Sequence, residues 1–146
     1  MLQEYFKLNK NILIAFAVSI TFSAMIAQSF EGQEDFLNTT YTLIFDYVFY
    51  FSTFGGLYYF DNRKKYRLNS GETDKEKLRH DLIKIVTSLG IAEVVYTISR
   101  WTLQFYFLSL YDPYLASIIS QVISTVIYMI VVNFSVKITR LFNDGN

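Results

Sequence analysis

The sequence predicts an all-α, polytopic membrane protein, with four transmembrane helices in a compact bundle and both termini cytoplasmic. Three observations carry that expectation. Of 146 residues, 52% are hydrophobic, 18% are aromatic and one is proline, a composition more apolar than that of an ordinary soluble domain. Four stretches, about 11–30, 41–60, 82–108 and 114–136, have the roughly 20 apolar residues needed to cross about 30 Å of hydrocarbon. Finally, if the chain crosses four times, every Lys and Arg except Arg100 falls on one side, and the loops of the other side hold Glu31, Glu34, Asp35 and Asp112. The positive-inside rule puts the basic side, with both termini, in the cytoplasm. Residues 1–146 form a single four-helix transmembrane domain with a cytoplasmic loop over 61–81.

The first span follows Lys7 and Lys10 and carries Ser19, Ser23 and Ala27 at helical spacing, small residues of the type that lets membrane helices approach closely. A signal peptide is the competing reading of this segment. Its apolar run is long for one, and Met25 is a poor residue where a small one must precede cleavage. Asn38-Thr39-Thr40 matches the glycosylation pattern in the expected outer loop, whereas Asn133-Phe134-Ser135 matches it at a cytoplasmic helix end, where it has no meaning.

The second span, Tyr41 to Phe60, contains Asp46 and the pair Gly55-Gly56. After it come Arg63, Lys64, Lys65, Arg67, Lys75, Lys77, Arg79 and Lys84. Such a run suits a nucleic-acid patch in isolation, but its place between spans argues for topology instead. Gly71 predicts a turn, and Thr73 with Glu76 has capping-box spacing, so a polar helix is expected to start there and run straight into the third span.

That span holds Glu93, Thr97, Arg100 and Gln104 at i, i+4, i+7 and i+11, one helical face, with Gly90 three residues earlier. Charges at bilayer depth are costly and turn toward the bundle interior. Glu93 and Arg100 are separated by about 10 Å along the axis at 1.5 Å per residue, so each needs another partner. Asp46, at a matching depth on a helix running the other way, is expected to pair with Arg100. Glu93, near mid-membrane, is expected to hydrogen-bond the fourth span, which offers Ser117, Ser120, Gln121, Ser124 and Tyr128. Asp112 is placed as N-cap of that span and Pro113 as its first residue, where a missing N–H costs nothing. The intramembrane polar candidates are thus Asp46, Glu93, Thr97, Arg100, Gln104, Gln121 and Ser124. Packing polar residues together suffices to explain them, and a proton or substrate path is the functional alternative.

No cysteine is present, which excludes disulfides, thiolate metal sites and thiol nucleophiles. His80 stands alone in a charged segment, and neither a Gly-rich phosphate loop nor a nucleophile elbow occurs. No catalytic residue, cofactor or metal is therefore expected, nor a nucleic-acid partner, and the chain reads as a non-enzyme.

The stretch from "LIKIVTSLGIAEVVYTISRW" through "LYDPYLASIISQVISTVIYMIVVNFSVKITRLF" resembles the second half of the GtrA family of small four-helix membrane proteins. In that family a short turn with Pro leads into a helix carrying Ala, which ends in Asn-Phe followed by basic and aromatic residues. Pro113, Ala116, Asn133, Phe134, Lys137, Arg140 and Phe142 occupy those places. The resemblance covers roughly the C-terminal 40% of the chain. In the first half Arg63, Lys64 and Lys65 follow the second span as a basic end would, but no Asn-Phe precedes them. The resemblance implies movement of a polyprenyl-phosphate-linked sugar across the membrane, or assistance to cell-surface polysaccharide synthesis. A lipid phosphate at the inner interface would want basic residues near helix ends, and Lys84, Lys137 and Arg140 are so placed. The alternative is a non-catalytic accessory subunit of a larger membrane complex, or a homo-oligomer, in which the aromatic "YVFYFSTFGGLYYF" helix packs against a neighbour through its glycines.

Overall fold

A computed structural model of the protein describes residues 2–139, with side chains described over 3–134. Arg140 and Phe142 lie outside the described residues, as does the side chain of Lys137. The described chain is helical: α1 (Leu2–Ser29), α2 (Asp35–Asn62), a 3-10 turn (Arg63–Tyr66), α3 (Lys75–Ser88), α4 (Gly90–Leu108) and α5 (Pro113–Thr139). Among the described residues there is no strand; Arg67 and Thr73 meet only as an isolated bridge.

The four long helices form a ring in which α1 packs on α2 and α5, and α4 packs on α2 and α5. Neighbours run antiparallel. Ser19 meets Asp46 where Asn38 meets Ala27, and Arg100 meets Ser120 where Glu93 meets Tyr128. The short connections enforce this order. Gly32 turns the chain from α1 to α2 at φ +89°, a conformation that costs glycine little. Pro113 is the first residue of α5, and the Asp112 carbonyl accepts from the Ala116 amide at 2.9 Å.

Two helical segments, Gln3–Ser29 and Pro113–Phe134, are long and apolar enough to cross a membrane, and α3 with α4 makes a third if the pair is one bent span. These lengths are consistent with a membrane protein. α2 does not qualify on composition, because Thr, Tyr and Asp46 dilute its apolar residues. The side-chain distribution points the same way. Ile44, Val48, Ile91, Val94, Ile98, Val126 and Ile130 are exposed, whereas Asp46, Arg100, Gln104, Gln121 and five serines are buried. Apolar outside and polar inside suits a hydrocarbon solvent.

Three expectations are corrected. The third segment is not straight: α3 and α4 meet at 62°, so residues 82–88 belong to α3 and only Gly90–Leu108 to the bundle. Gly90 and Ser88 flank the break, and Gly/Ser pairs are a recognised cause of kinks. The cap of α3 is Asp74 rather than Thr73; its carboxylate accepts from the Lys77 amide at 3.0 Å, and the Thr73 hydroxyl bonds to Tyr59 at 2.8 Å instead. Asn38 is not in a loop. It is buried inside α2, donating to the Ala27 carbonyl at 2.9 Å and the Phe30 carbonyl at 3.2 Å, so it offers no acceptor for a glycan in the folded protein.

The interior is divided. Toward the basic end the core is apolar and aromatic, with Phe16 touching Tyr50, Tyr96 and Tyr128 at ring distances of 4.6, 5.1 and 5.2 Å, beside Leu8, Ile12, Phe54 and Val132. Toward the opposite end the core is polar.

Candidate functional site

The polar half of the core is built around Asp46, placed by α2 against α1, α4 and α5. One carboxylate oxygen, Oδ1, accepts from Ser19 Oγ and from Gln121 Nε2, the latter at 2.6 Å. The other, Oδ2, accepts from the Tyr96 hydroxyl at 2.5 Å and lies 3.4 Å from Arg100 Nε. That last contact is an ion pair without an aligned hydrogen bond, since Arg100 Nε has no hydrogen-bond partner. The guanidinium spends its other nitrogens on Gln104, on Ser120 Oγ at 2.7 Å and on Ser117 Oγ at 3.0 Å. Gln104 in turn donates to Asn38 at 3.2 Å. Both charges are almost completely buried, and side chains of all four long helices surround them.

Serine and alanine make this arrangement sterically affordable. Ser19, Ser23 and Ala27 on α1, with Ala116, Ser117, Ser120 and Ser124 on α5, are all buried, leaving room for the long Arg100 side chain between backbones. Buried ions of this kind are tolerated when paired and hydrogen-bonded on every side.

Glu93 belongs to a second cluster. It lies in the first turn of α4, just past the bend, and its Oε1 accepts from the Tyr128 hydroxyl of α5 at 2.6 Å. Tyr128 lies 3.4 Å from the Tyr50 hydroxyl. Thr97 donates to the Glu93 carbonyl at 2.8 Å and is hydrogen-bonded to Tyr47 of α2. The expected four-residue stripe is therefore split. The buried line of α4 is Ala92, Tyr96, Arg100 and Gln104, while Glu93 and Thr97 are half-buried beside it. Ser124, the remaining candidate, is buried with its hydroxyl unpartnered.

A third feature sits at the basic end, a groove of about 360 Å³ between α1, the end of α2, the 3-10 turn and α3. Lys7, Lys65 and Lys84 line it together with Glu4 and Asp81. Asn11 closes its inner end. That side chain is buried, donates to Asp61 Oδ2 at 3.1 Å, and leaves its own Oδ1 without a partner. Asp61 also takes Lys10 at 3.0 Å, and the Lys10 ammonium, with help from Asn11, holds its carboxyl below the usual carboxylate range. On the far wall Asp81 Oδ2 accepts from Lys65 at 2.6 Å and from the Tyr66 hydroxyl at 2.7 Å. Partial burial works against ionisation of Asp81, but these two bonds outweigh it and keep its carboxyl below the usual range. The same bond to Asp81 raises the Lys65 ammonium above its ordinary value.

Chemically, the Asp46 network ties the four long helices together, whereas the groove offers cationic and hydrogen-bonding groups to an anionic headgroup. Among the described residues no group of three or more His, Cys, Asp or Glu could hold a metal. Of the lipid-phosphate candidates only Lys84 has a described side chain, and it lines this groove. Sequence reasoning missed Tyr96, Tyr47 and Asn38 in the core, and Lys7, Lys65 and Asn11 in the groove. Tyr96 was findable four residues before Arg100 on the same face; Asn11, a lone amide entering an apolar run, was a weaker signal. Compared with models of protein families, with curated proteins and with solved structures, the chain matches none.

Proposed function

We propose that the protein is a four-span, multi-pass component of the cell membrane, with both termini cytoplasmic, that binds a polyprenyl-phosphate-linked sugar at its inner face and assists its translocation or its use in cell-surface polysaccharide synthesis, as the GtrA resemblance implies. The observation that carries the reading is the groove, where Lys7, Lys65 and Lys84 converge from three segments beside the buried, unsatisfied acceptor Asn11 Oδ1. The lysines suit a phosphate, and the acceptor suits a hydroxyl of the attached sugar.

A second reading, an accessory subunit or homo-oligomer, is favoured by a different observation. A Cβ built on Gly55 or Gly56 meets nothing within 4 Å, so neither glycine is needed for packing inside the bundle, and both leave α2 open to a neighbouring helix. One experiment separates the two. The purified protein in phosphatidylcholine nanodiscs is titrated with a polyprenyl phosphate, and the Lys7→Gln, Lys65→Gln and Lys84→Gln variants are compared. The proposal expects saturable binding that weakens in each variant. Binding unchanged by all three substitutions, together with a fixed stoichiometric partner on purification in mild detergent, would turn the assignment to the subunit.

A further inference from the structure

The basic run after α2 does not all belong to the groove. Lys65 lines the groove, whereas Arg63, Lys64 and Arg67 line a separate recess of about 380 Å³ with Tyr59, Gly71 and Thr73. Glu4 and Asp81 share the lining of the groove, but no carboxylate lines this recess. The neighbouring Asp61 is bound to Lys10 and Asn11, and Glu72, between Gly71 and Thr73, is exposed and outside the lining. The walls are fixed by bonds that do not involve the cations. The Tyr59 hydroxyl is bonded to Thr73 Oγ1 at 2.8 Å, which ties the hairpin after the 3-10 turn to the end of α2. Within the hairpin the Leu68 amide donates to the Glu72 carbonyl at 2.8 Å, and Gly71 makes the turn at φ +88°, a conformation that costs glycine little. Three like charges are thus held around one space, and like charges so placed favour an anion between them.

The position of the recess narrows the choice of anion. The Arg63 guanidinium lies over the Phe60 ring, 4.8 Å from its centroid, a cation-π contact. Phe60 is 63% exposed and ends α2, on whose outer surface Phe45 and Val48 are also exposed. The recess therefore stands where an apolar outer surface gives way to a polar hairpin, the level at which phospholipid headgroups meet aromatic and basic side chains. Positive-inside topology explains basic residues at this end, but not their convergence on one carboxylate-free space. We propose that the recess is a second anion site, which takes the headgroup phosphate of an anionic phospholipid of the phosphatidylglycerol type. The two guanidiniums suit the phosphate oxygens, Lys64 adds a point charge, and the Tyr59–Thr73 hydroxyl pair suits the glycerol hydroxyls. A choline headgroup would bring a fourth cation to the same place and is disfavoured. The site rests on the preceding reading only in placing this end at a membrane surface, not on the ligand of the groove.

The test uses the full chain in neutral dodecylmaltoside micelles, titrated with phosphatidylglycerol labelled on an acyl chain and, separately, with phosphatidylcholine of the same chains. Phosphatidylglycerol should bind saturably and roughly fivefold or more tightly than phosphatidylcholine, and Arg63→Gln and Arg67→Gln should each weaken it about fivefold, the effect of one basic residue at an anionic headgroup. Both side chains are exposed, so neither substitution threatens the fold. Lys7→Gln in the groove and Arg79→Gln on α3 remove the same charge from the same end and should change binding less than about twofold. Losses as large in these controls would overturn the site, placing the lipid in the groove or in a diffuse field of charge. Equal affinity for the two lipids would also overturn it, and displacement of the lipid by millimolar inorganic phosphate would assign the recess to a soluble phosphate instead. The expected pattern supports the recess whether or not the groove binds a polyprenyl phosphate, so the two readings fail separately.

Discussion

Arg100 draws its partners from three helices: Asp46 from α2, Gln104 from its own α4, and Ser117 and Ser120 from α5. With both charges buried, removing either leaves the other without compensation, at a cost of roughly 3–5 kcal/mol. Asp46→Asn and Arg100→Gln should each lower unfolding stability in detergent by about that amount, and the double variant should cost less than their sum. Strict additivity would mean that the two do not interact. Glu93 differs, being half-buried, with its carboxylate accepting from the Tyr128 hydroxyl. Glu93→Gln keeps the shape and an acceptor oxygen for Tyr128, so folding and lipid-sugar activity should survive. A stable but inactive variant would move Glu93 into the functional site. The Asp46–Arg100 pairing was legible in the sequence because depth on antiparallel helices can be counted at 1.5 Å per residue. The tyrosines were not, since in an apolar run a Tyr reads as hydrophobic until its hydroxyl is seen to have a partner.

Among the elements, α3 shows where periodicity misleads. Residues 75–108 keep helical spacing throughout, so nothing in their apolar pattern marks the bend. It comes from local residues, Ser88 and Gly90, and from Asp81 drawing α3 back to the bundle. Asp74, the observed cap, bonds the Lys77 amide, so Asp74→Ala should destabilise α3 by about 1 kcal/mol, read as faster exchange in its first turn. An unchanged rate there would show that the cap is dispensable. Asp61 and Asp81 both have carboxyls held below their ordinary range. A depressed carboxyl contributes stability at neutral pH that is lost as pH falls through its folded value. Protection of α3, corrected for intrinsic exchange, should therefore be flat between about pH 5 and 8 and fall below about pH 4, the ordinary carboxylate range. The step should vanish in Asp81→Asn; its persistence there would assign it to another group.

For the whole molecule, the distribution of polarity and that of charge tell a consistent story. Large aliphatic side chains face outward and the hydroxyls and amides face inward, while the lysines of α1, the 3-10 turn and α3 gather at one end. The proposed lipid-phosphate site depends on that end lying at the inner leaflet, and hence on α2 crossing the membrane despite its modest apolarity. The sequence supplied the helices and the charge asymmetry. It did not reveal the groove, which is assembled from segments more than 50 residues apart, such as Asn11 and Lys65, and so has no local signature. The most direct test exploits the absence of native cysteine. Single cysteines at Gln33 and Asn69, both exposed and at opposite ends of α2, are probed in intact cells with a membrane-impermeant maleimide. The account predicts that Gln33→Cys labels from outside and Asn69→Cys only after permeabilisation; labelling of both from outside would contradict it.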